Sequence, residues 1–290
     1  MNYQITNGKL KVTVDSLGAE LVSVEKDGTE YLWNGDAAYW PERSPLLFPF
    51  VGRFTEGKYL LDGREYEMDI HGFARKMQFE TVGKGQAWIA MELRDTPETL
   101  RMYPYHFSLQ VTYRLERDEI KTEYRVQNQS DRVMYFGIGG HPGFRVPLEE
   151  GLEFRDYFLE FSHVCRPDRV GHTSACFVSG ENREFSLKDG RYLPLRHDMF
   201  DDDAIVLQNM ARCVTLKSEK GTRSVRVSYP DMRYLGLWHA PKTEAPYLCI
   251  EPWMSLPSRQ GIVEDFACKN DLIRLKPGGI FETGWNVSLT

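Results

Sequence analysis

Four short stretches of this chain set titratable side chains among glycines, prolines and aromatics. In Gly137-Ile138-Gly139-Gly140-His141-Pro142-Gly143-Phe144, one imidazole lies among four glycines and a proline. Glycine lets a backbone or ligand approach closely, and Pro142 biases His141 toward an extended conformation. A histidine held in this way is presented rather than packed. In Pro246-Tyr247-Leu248-Cys249-Ile250-Glu251-Pro252-Trp253 a carboxylate ends an apolar run. Burying it unpaired costs several kcal/mol or raises its pKa, which is tolerated mainly where the group has chemistry to perform. Ile70-His71-Gly72-Phe73-Ala74-Arg75 adds a second histidine beside glycine, followed by an arginine. Ser44-Pro45-Leu46-Leu47-Phe48-Pro49-Phe50-Val51-Gly52-Arg53-Phe54 ends a proline-broken apolar run in another arginine, whose five donors and permanent charge require partners. Any one of these has a plain structural explanation, such as a loop histidine, a surface arginine or a salt-bridged glutamate. Together they supply proton-transfer groups and polar ligands.

The elements that must carry them alternate with a period of two. Leu10, Val12 and Val14 share one face of an extended segment. Phe107, Leu109, Val111, Tyr113 and Leu115 repeat the pattern, as do Ile120, Thr122, Tyr124 and Val126 after Arg117-Asp118-Glu119. Asp27-Gly28, Asp62-Gly63 and Asp189-Gly190 each separate two apolar runs and read as hairpin turns. The one helical signal is short, Thr96 to Met102. Strands with frequent turns and almost no helix predict an all-β sandwich or barrel. No linker or internal repeat divides the chain, so residues 1–290 are expected to form a single large antiparallel domain.

Composition narrows the partners. A net charge of -6 without any basic block argues against nucleic acid. No apolar run reaches the ~18 residues of a membrane helix, and the N-terminus lacks a signal-peptide layout, so a cytoplasmic location is expected. The five cysteines are odd in number and show no paired spacing, which argues against a disulfide framework. His163, Cys165, His172 and Cys176 share one segment without a zinc-site spacing, and no metal is expected there. Asp201-Asp202-Asp203 precedes an apolar strand, and one of the three acids can face a ligand. Trp238 offers an indole either to the core or to the apolar face of a sugar.

In their order and spacing, Ser44 to Arg53, His71 to Arg75, Gly139 to Phe144, Asp203 to Leu207 and Ile250 to Trp253 resemble the aldose 1-epimerase (mutarotase) superfamily, and within it the LacX-like branch. The resemblance spans nearly the whole chain. It implies the antiparallel β-supersandwich of galactose mutarotase-like proteins and a cofactor-free enzyme acting at the anomeric carbon of a free aldose. By position, His141 matches the general acid and Glu251 the general base. Arg53 and His71 match binders of hydroxyls beside the ring oxygen, Asp203 matches an acidic hydroxyl binder, and Trp238 is expected to wall the pocket. Interconverting anomers requires a proton to leave the C1 hydroxyl while another reaches the ring oxygen. A carboxylate suits the first transfer and an imidazolium the second.

Two rivals follow from the same residues. A hexose-6-phosphate 1-epimerase would use Arg75 on phosphate, although no second cluster of cations stands out for a dianion. A non-catalytic sugar-binding protein is the other, because fold does not fix function. Neither the preferred sugar nor the oligomeric state follows from the sequence.

Overall fold

In the computed structural model, which describes residues 1–290, two large antiparallel sheets face each other. One has nine strands in the spatial order Tyr192–Pro194, Tyr157–Phe161, Cys213–Ser218, Ser224–Ser228, Ile280–Leu289, Glu119–Asn128, Phe107–Glu116, Trp88–Arg94 and Glu80–Lys84. The second has eight and runs Arg183–Glu184, Asp168–Arg169, Ile205–Gln208, Tyr234–Trp238, Tyr247–Trp253, Gly139–Gly140 and Leu46–Leu47, with Gly143–Arg145 also paired to Tyr247–Trp253. A four-stranded N-terminal sheet, a three-stranded and a two-stranded one complete the β structure. The layout agrees with the antiparallel β-supersandwich that the sequence resemblance implies.

The alternation predicted for the long strands is the burial observed. Phe107, Leu109, Val111, Tyr113 and Leu115 are buried, and so are Ile120, Thr122, Tyr124 and Val126 on the neighbouring strand. Asp27-Gly28 and Asp62-Gly63 form tight turns with positive φ at both residues (50° and 77°; 51° and 72°). That combination matches the right-handed twist of the flanking strands. Asp189-Gly190 likewise lies in a turn with positive φ, closed by Lys188 and Tyr192. The short helical signal is a helix at Pro97–Met102 with Thr96 as its cap. At one place the simple pattern fails. Leu21 and Val24, three residues apart, are both buried because a bulge at Thr13/Val14 shifts the register of the paired strand.

The strand Tyr247–Trp253 is buried at every position, so neither of its faces meets bulk water. Leu248 and Ile250 join the main core, whose members run from Ile5 to Leu289. Tyr247 and Cys249 pack instead with Trp33 and Trp40, and Trp253 packs with Leu47, Val51 and Val206. The neighbouring strand divides in the same way, with Leu235 and Leu237 in the main core and Trp238 against the smaller cluster. The sheet therefore has a second, partly covered face away from the core. Glu251, in phase with Tyr247, Cys249 and Trp253, belongs to that face.

Candidate active site

Close backbone approach makes room for the site on this second face. Gly236 is directly opposite Glu251 in the ladder, and Gly139 is opposite Trp253. A Cβ at Gly140 would lie 2.8 Å from the Trp285 ring, so the glycine run lets its strand pack flush on the core. The loop that follows is pinned from both sides. Ile250 N donates to Pro142 O (3.1 Å), and Gly143 N donates to Arg43 O (2.8 Å). These bonds fix His141 beside the Glu251 strand, with His141 Nε2 3.2 Å from Glu251 Oε2. The two residues are 8% and 1% exposed, and neither carboxylate oxygen nor His141 Nδ1 has a hydrogen-bond partner. No arginine neutralises Glu251, contrary to the salt-bridged alternative that its sequence context allows. Burial, reinforced by the nearby Asp203 charge, pushes the Glu251 carboxyl well above the usual carboxylate range. Burial pushes the His141 imidazole down from its ordinary value. Both shifts favour the neutral forms, a protonated carboxyl beside an uncharged imidazole.

His71 reaches the same hollow by a different route. Its own N–H donates to Gly52 O (2.9 Å), and Gly52 N donates to His71 Nδ1 (3.0 Å), which places the ring proton on Nε2. The residue sits at φ 65°, an uncommon conformation for a side chain of its size. Gly72 beside it has φ 72°, and a Cβ there would lie 2.3 Å from Phe48 O, so only glycine fits. Burial and the neighbouring His141 hold His71 neutral by lowering its pKa well below the ordinary value. Its ring stands edge-on to His141, with centroids 5.5 Å apart.

All seven residues singled out in the sequence, His141, Glu251, Arg53, His71, Asp203, Trp238 and Arg75, line one hollow of about 210 Å³. That suits a single monosaccharide better than a drug-sized ligand, whose pockets begin near ~300 Å³. The Arg53 side chain is exposed at the mouth and makes no salt bridge. Asp203, at φ 74°, accepts from Ala204 N at Oδ1 (2.7 Å) and from the Cys176 thiol at Oδ2 (3.0 Å). Of the three acids, Asp202 and Asp203 line the hollow, whereas Asp201 turns outward to accept from Lys242 N. Arg75 is occupied, because its Nη1 donates to both carboxylate oxygens of Glu42 at 2.5 and 2.7 Å.

Sequence spacing does not reveal Trp40, Glu42 or Trp253, which also line the hollow. Trp40 packs over His141 with centroids 4.9 Å apart at 32°, and Trp238 meets the same imidazole edge-on at 5.7 Å. His172 and Cys176 also line the hollow, while His163 and Cys165 of the same segment lie outside it. A cation would find donor atoms of His141, Cys249 and Glu251 within 4.8 Å of one another. It would have to displace protons that burial holds on the thiol and the carboxyl.

The sequence matches the aldose 1-epimerase family model over residues 1–265. The chain belongs to that family, which places it among isomerases of small sugars. It is 34% identical over 267 residues to the chromosomal LacX protein of Lactococcus lactis subsp. lactis, covering 88% of each chain. A galactose mutarotase related enzyme from Lactobacillus acidophilus superposes with a TM-score of 0.95 at 31% identity, covering 100% of this chain and 97% of that one. A galactose mutarotase-like protein from Lactobacillus casei also gives 0.95, at 30% identity over the full length of both. No helix is long and apolar enough to cross a membrane.

Proposed function

We propose that this protein is a mutarotase for a free, unphosphorylated aldose, with His141 and Glu251 as its acid–base pair. One observation carries the reading: the 3.2 Å approach of His141 Nε2 to Glu251 Oε2 inside a monosaccharide-sized hollow. By the directions of the two shifts, the pair carries one proton, on the Glu251 carboxyl. A bound sugar whose C1 hydroxyl donates to Glu251 favours the carboxylate and moves that proton to His141. Glu251 then takes the C1 hydroxyl proton while His141 protonates the ring oxygen, and the C1–O5 bond breaks to give the open-chain aldehyde. Rotation about C1–C2 exposes the other carbonyl face. Closure returns both protons and leaves the opposite anomer. Each positioned group contributes typically ~10²–10⁴-fold.

The remaining residues take supporting roles. Arg53, free of any carboxylate, and His71, a neutral Nε2–H donor, stabilise charge developing on the ring oxygen. Asp203 accepts from sugar hydroxyls, and Trp238 and Trp40 cover the apolar face. Arg75 is the cation a phosphorylated substrate would need, and its engagement by Glu42 favours the unphosphorylated one. Polarimetry of freshly dissolved α-D-glucose, α-D-galactose and α-D-glucose 6-phosphate tests the reading. The expected result is faster relaxation for at least one free hexose and a smaller effect on the phosphate. Acceleration confined to the phosphate overturns the substrate, and binding without any acceleration points to a sugar sensor.

A further inference from the structure

Part of the hollow's lining comes from a hairpin to which the reaction gives no task. From Gly171 to Ser179 the chain turns back on itself. Thr173 N donates to Phe177 O (2.9 Å), Cys176 N donates to Thr173 O (2.9 Å) and Ser179 N donates to Gly171 O (2.8 Å). The hairpin is tied to the segment after Pro257, since Val178 N donates to Ser258 O (2.9 Å) and Gln260 N donates to Val178 O (3.0 Å). Three of its polar side chains line the cavity: His172, Thr173 and Cys176. The Thr173 hydroxyl already accepts from Ala175 N and Phe177 N, each at 3.3 Å, and the Cys176 thiol already donates to Asp203. Only His172 is uncommitted, its Nε2 sealed from solvent without a hydrogen-bond partner.

A buried polar atom without a partner is costly and calls for an explanation. Burial keeps the imidazole neutral, its pKa lowered to about 4. A neutral ring has one donor and one acceptor, as a sugar hydroxyl does, and it does not attract a competing anion. The Asp203 charge bears on both Glu251 and His172. Asp203 thus links the reacting end of the hollow to the hairpin.

We propose that His172 is a sugar-hydroxyl ligand that, together with Asp203, sets which aldose the site prefers. This rests on the sugar-pocket reading above, and it assigns His172 to a hydroxyl other than the one at C1. An aldose lacking that hydroxyl, or carrying it inverted, leaves the imidazole without a partner, and discrimination follows from the unpaired group.

The test is a panel of D-aldoses differing at single positions, namely glucose, mannose, allose, galactose and xylose, assayed with the wild type, His172→Ala and His172→Gln. Melting temperature monitors folding. For the preferred sugar His172→Ala should raise KM about tenfold or more, change kcat less than threefold, and flatten the kcat/KM ratio at one hydroxyl position. His172→Gln, which restores a nitrogen at similar reach, should recover part of that ratio. Unchanged ratios, or an equal fall in kcat for every sugar with a lowered melting temperature, would reduce His172 to scaffold and overturn the proposal. Should the wild type accelerate no aldose, the acid–base reading fails by itself, and quenching of the pocket tryptophans by the same panel decides the ligand role. A sugar-selective rise in Kd with His172→Ala then sustains it. Equal Kd values, or no binding at all, refute it.

Discussion

On the sheet side of the hollow, His141 and Glu251 are 8% and 1% exposed, braced by Trp40 and by backbone bonds to Pro142 and Gly143. On the hairpin side, His172, Cys176 and Asp203 are half-buried and held by turn hydrogen bonds and one thiol–carboxylate contact. The rigid wall carries the groups to which proton transfer is assigned, where small displacements are expensive. The looser wall carries groups that read hydroxyls, where an adaptable surface suffices. The difference also appears in protonation. Burial shifts both members of the sheet pair toward their neutral forms. Burial, followed by the Asp203 contact, pushes the Cys176 thiol up to about 12, leaving it a donor rather than a nucleophile.

The sharpest break in this comparison comes from the sheet wall. Glu251→Gln and His141→Asn should each lower turnover by ~10²–10⁴-fold with the fold intact. Circular dichroism and polarimetry check this together, and near-normal turnover in either variant removes that residue from its role. In the intact pair, the single-proton state should span a wide range, because His141 is lowered and Glu251 raised. The kcat/KM profile is therefore expected to stay flat through neutrality. It should fall in acid, where the pair gains a second proton, and in alkali, where it loses its only one.

Stability should depend strongly on the strand beneath His141. Gly140→Ala forces a Cβ to 2.8 Å from Trp285, which is 2% exposed and cannot swing away, and whose Nε1 donates to Tyr124. Overpacking of this kind costs ~1–3 kcal/mol, visible as a lower melting temperature. Glu42→Gln sharpens the substrate question instead. Freeing the Arg75 guanidinium should narrow the preference for a free hexose over its 6-phosphate by roughly tenfold, the equivalent of one lost charge-assisted contact. An unchanged ratio means Arg75 does not face the sugar.

The smallest effect concerns a histidine pair behind Trp238. His239 Nδ1 donates to Ala240 O (2.8 Å), so its Nε2 accepts from His197 Nδ1 (3.1 Å). Burial lowers the His239 pKa from the ordinary 6.5 to about 4. Between these values the unfolded chain binds more protons than the folded one, so stability falls as pH drops from about 6.5 toward 4 and levels off below. Melting temperature against pH should show this slope, to which the lowered His71, His141 and His172 also contribute, and His239→Asn, which cannot titrate, should make it shallower.

The sheets were legible because alternation and Asp-Gly turns are local signals, and Phe107 to Val126 buries the residues that alternation selects. His71, His141 and Glu251 stood out because each interrupts a glycine-rich or apolar context that rarely carries a charge. Trp40, Glu42 and the pocket role of His172 did not, since they lie in loops where no period applies and only tertiary pairing brings them inward. The occupation of Arg75 was equally hidden, because Glu42 lies 33 residues away and no spacing rule links them.

The central claim is most directly tested by exchange between the α- and β-anomeric proton signals of an equilibrated aldose, measured by magnetisation-transfer NMR with wild type and with Glu251→Gln. The account predicts exchange that rises in proportion to wild-type protein and returns to the buffer rate with Glu251→Gln, while both proteins still bind the sugar. Equal exchange with the two proteins would contradict it.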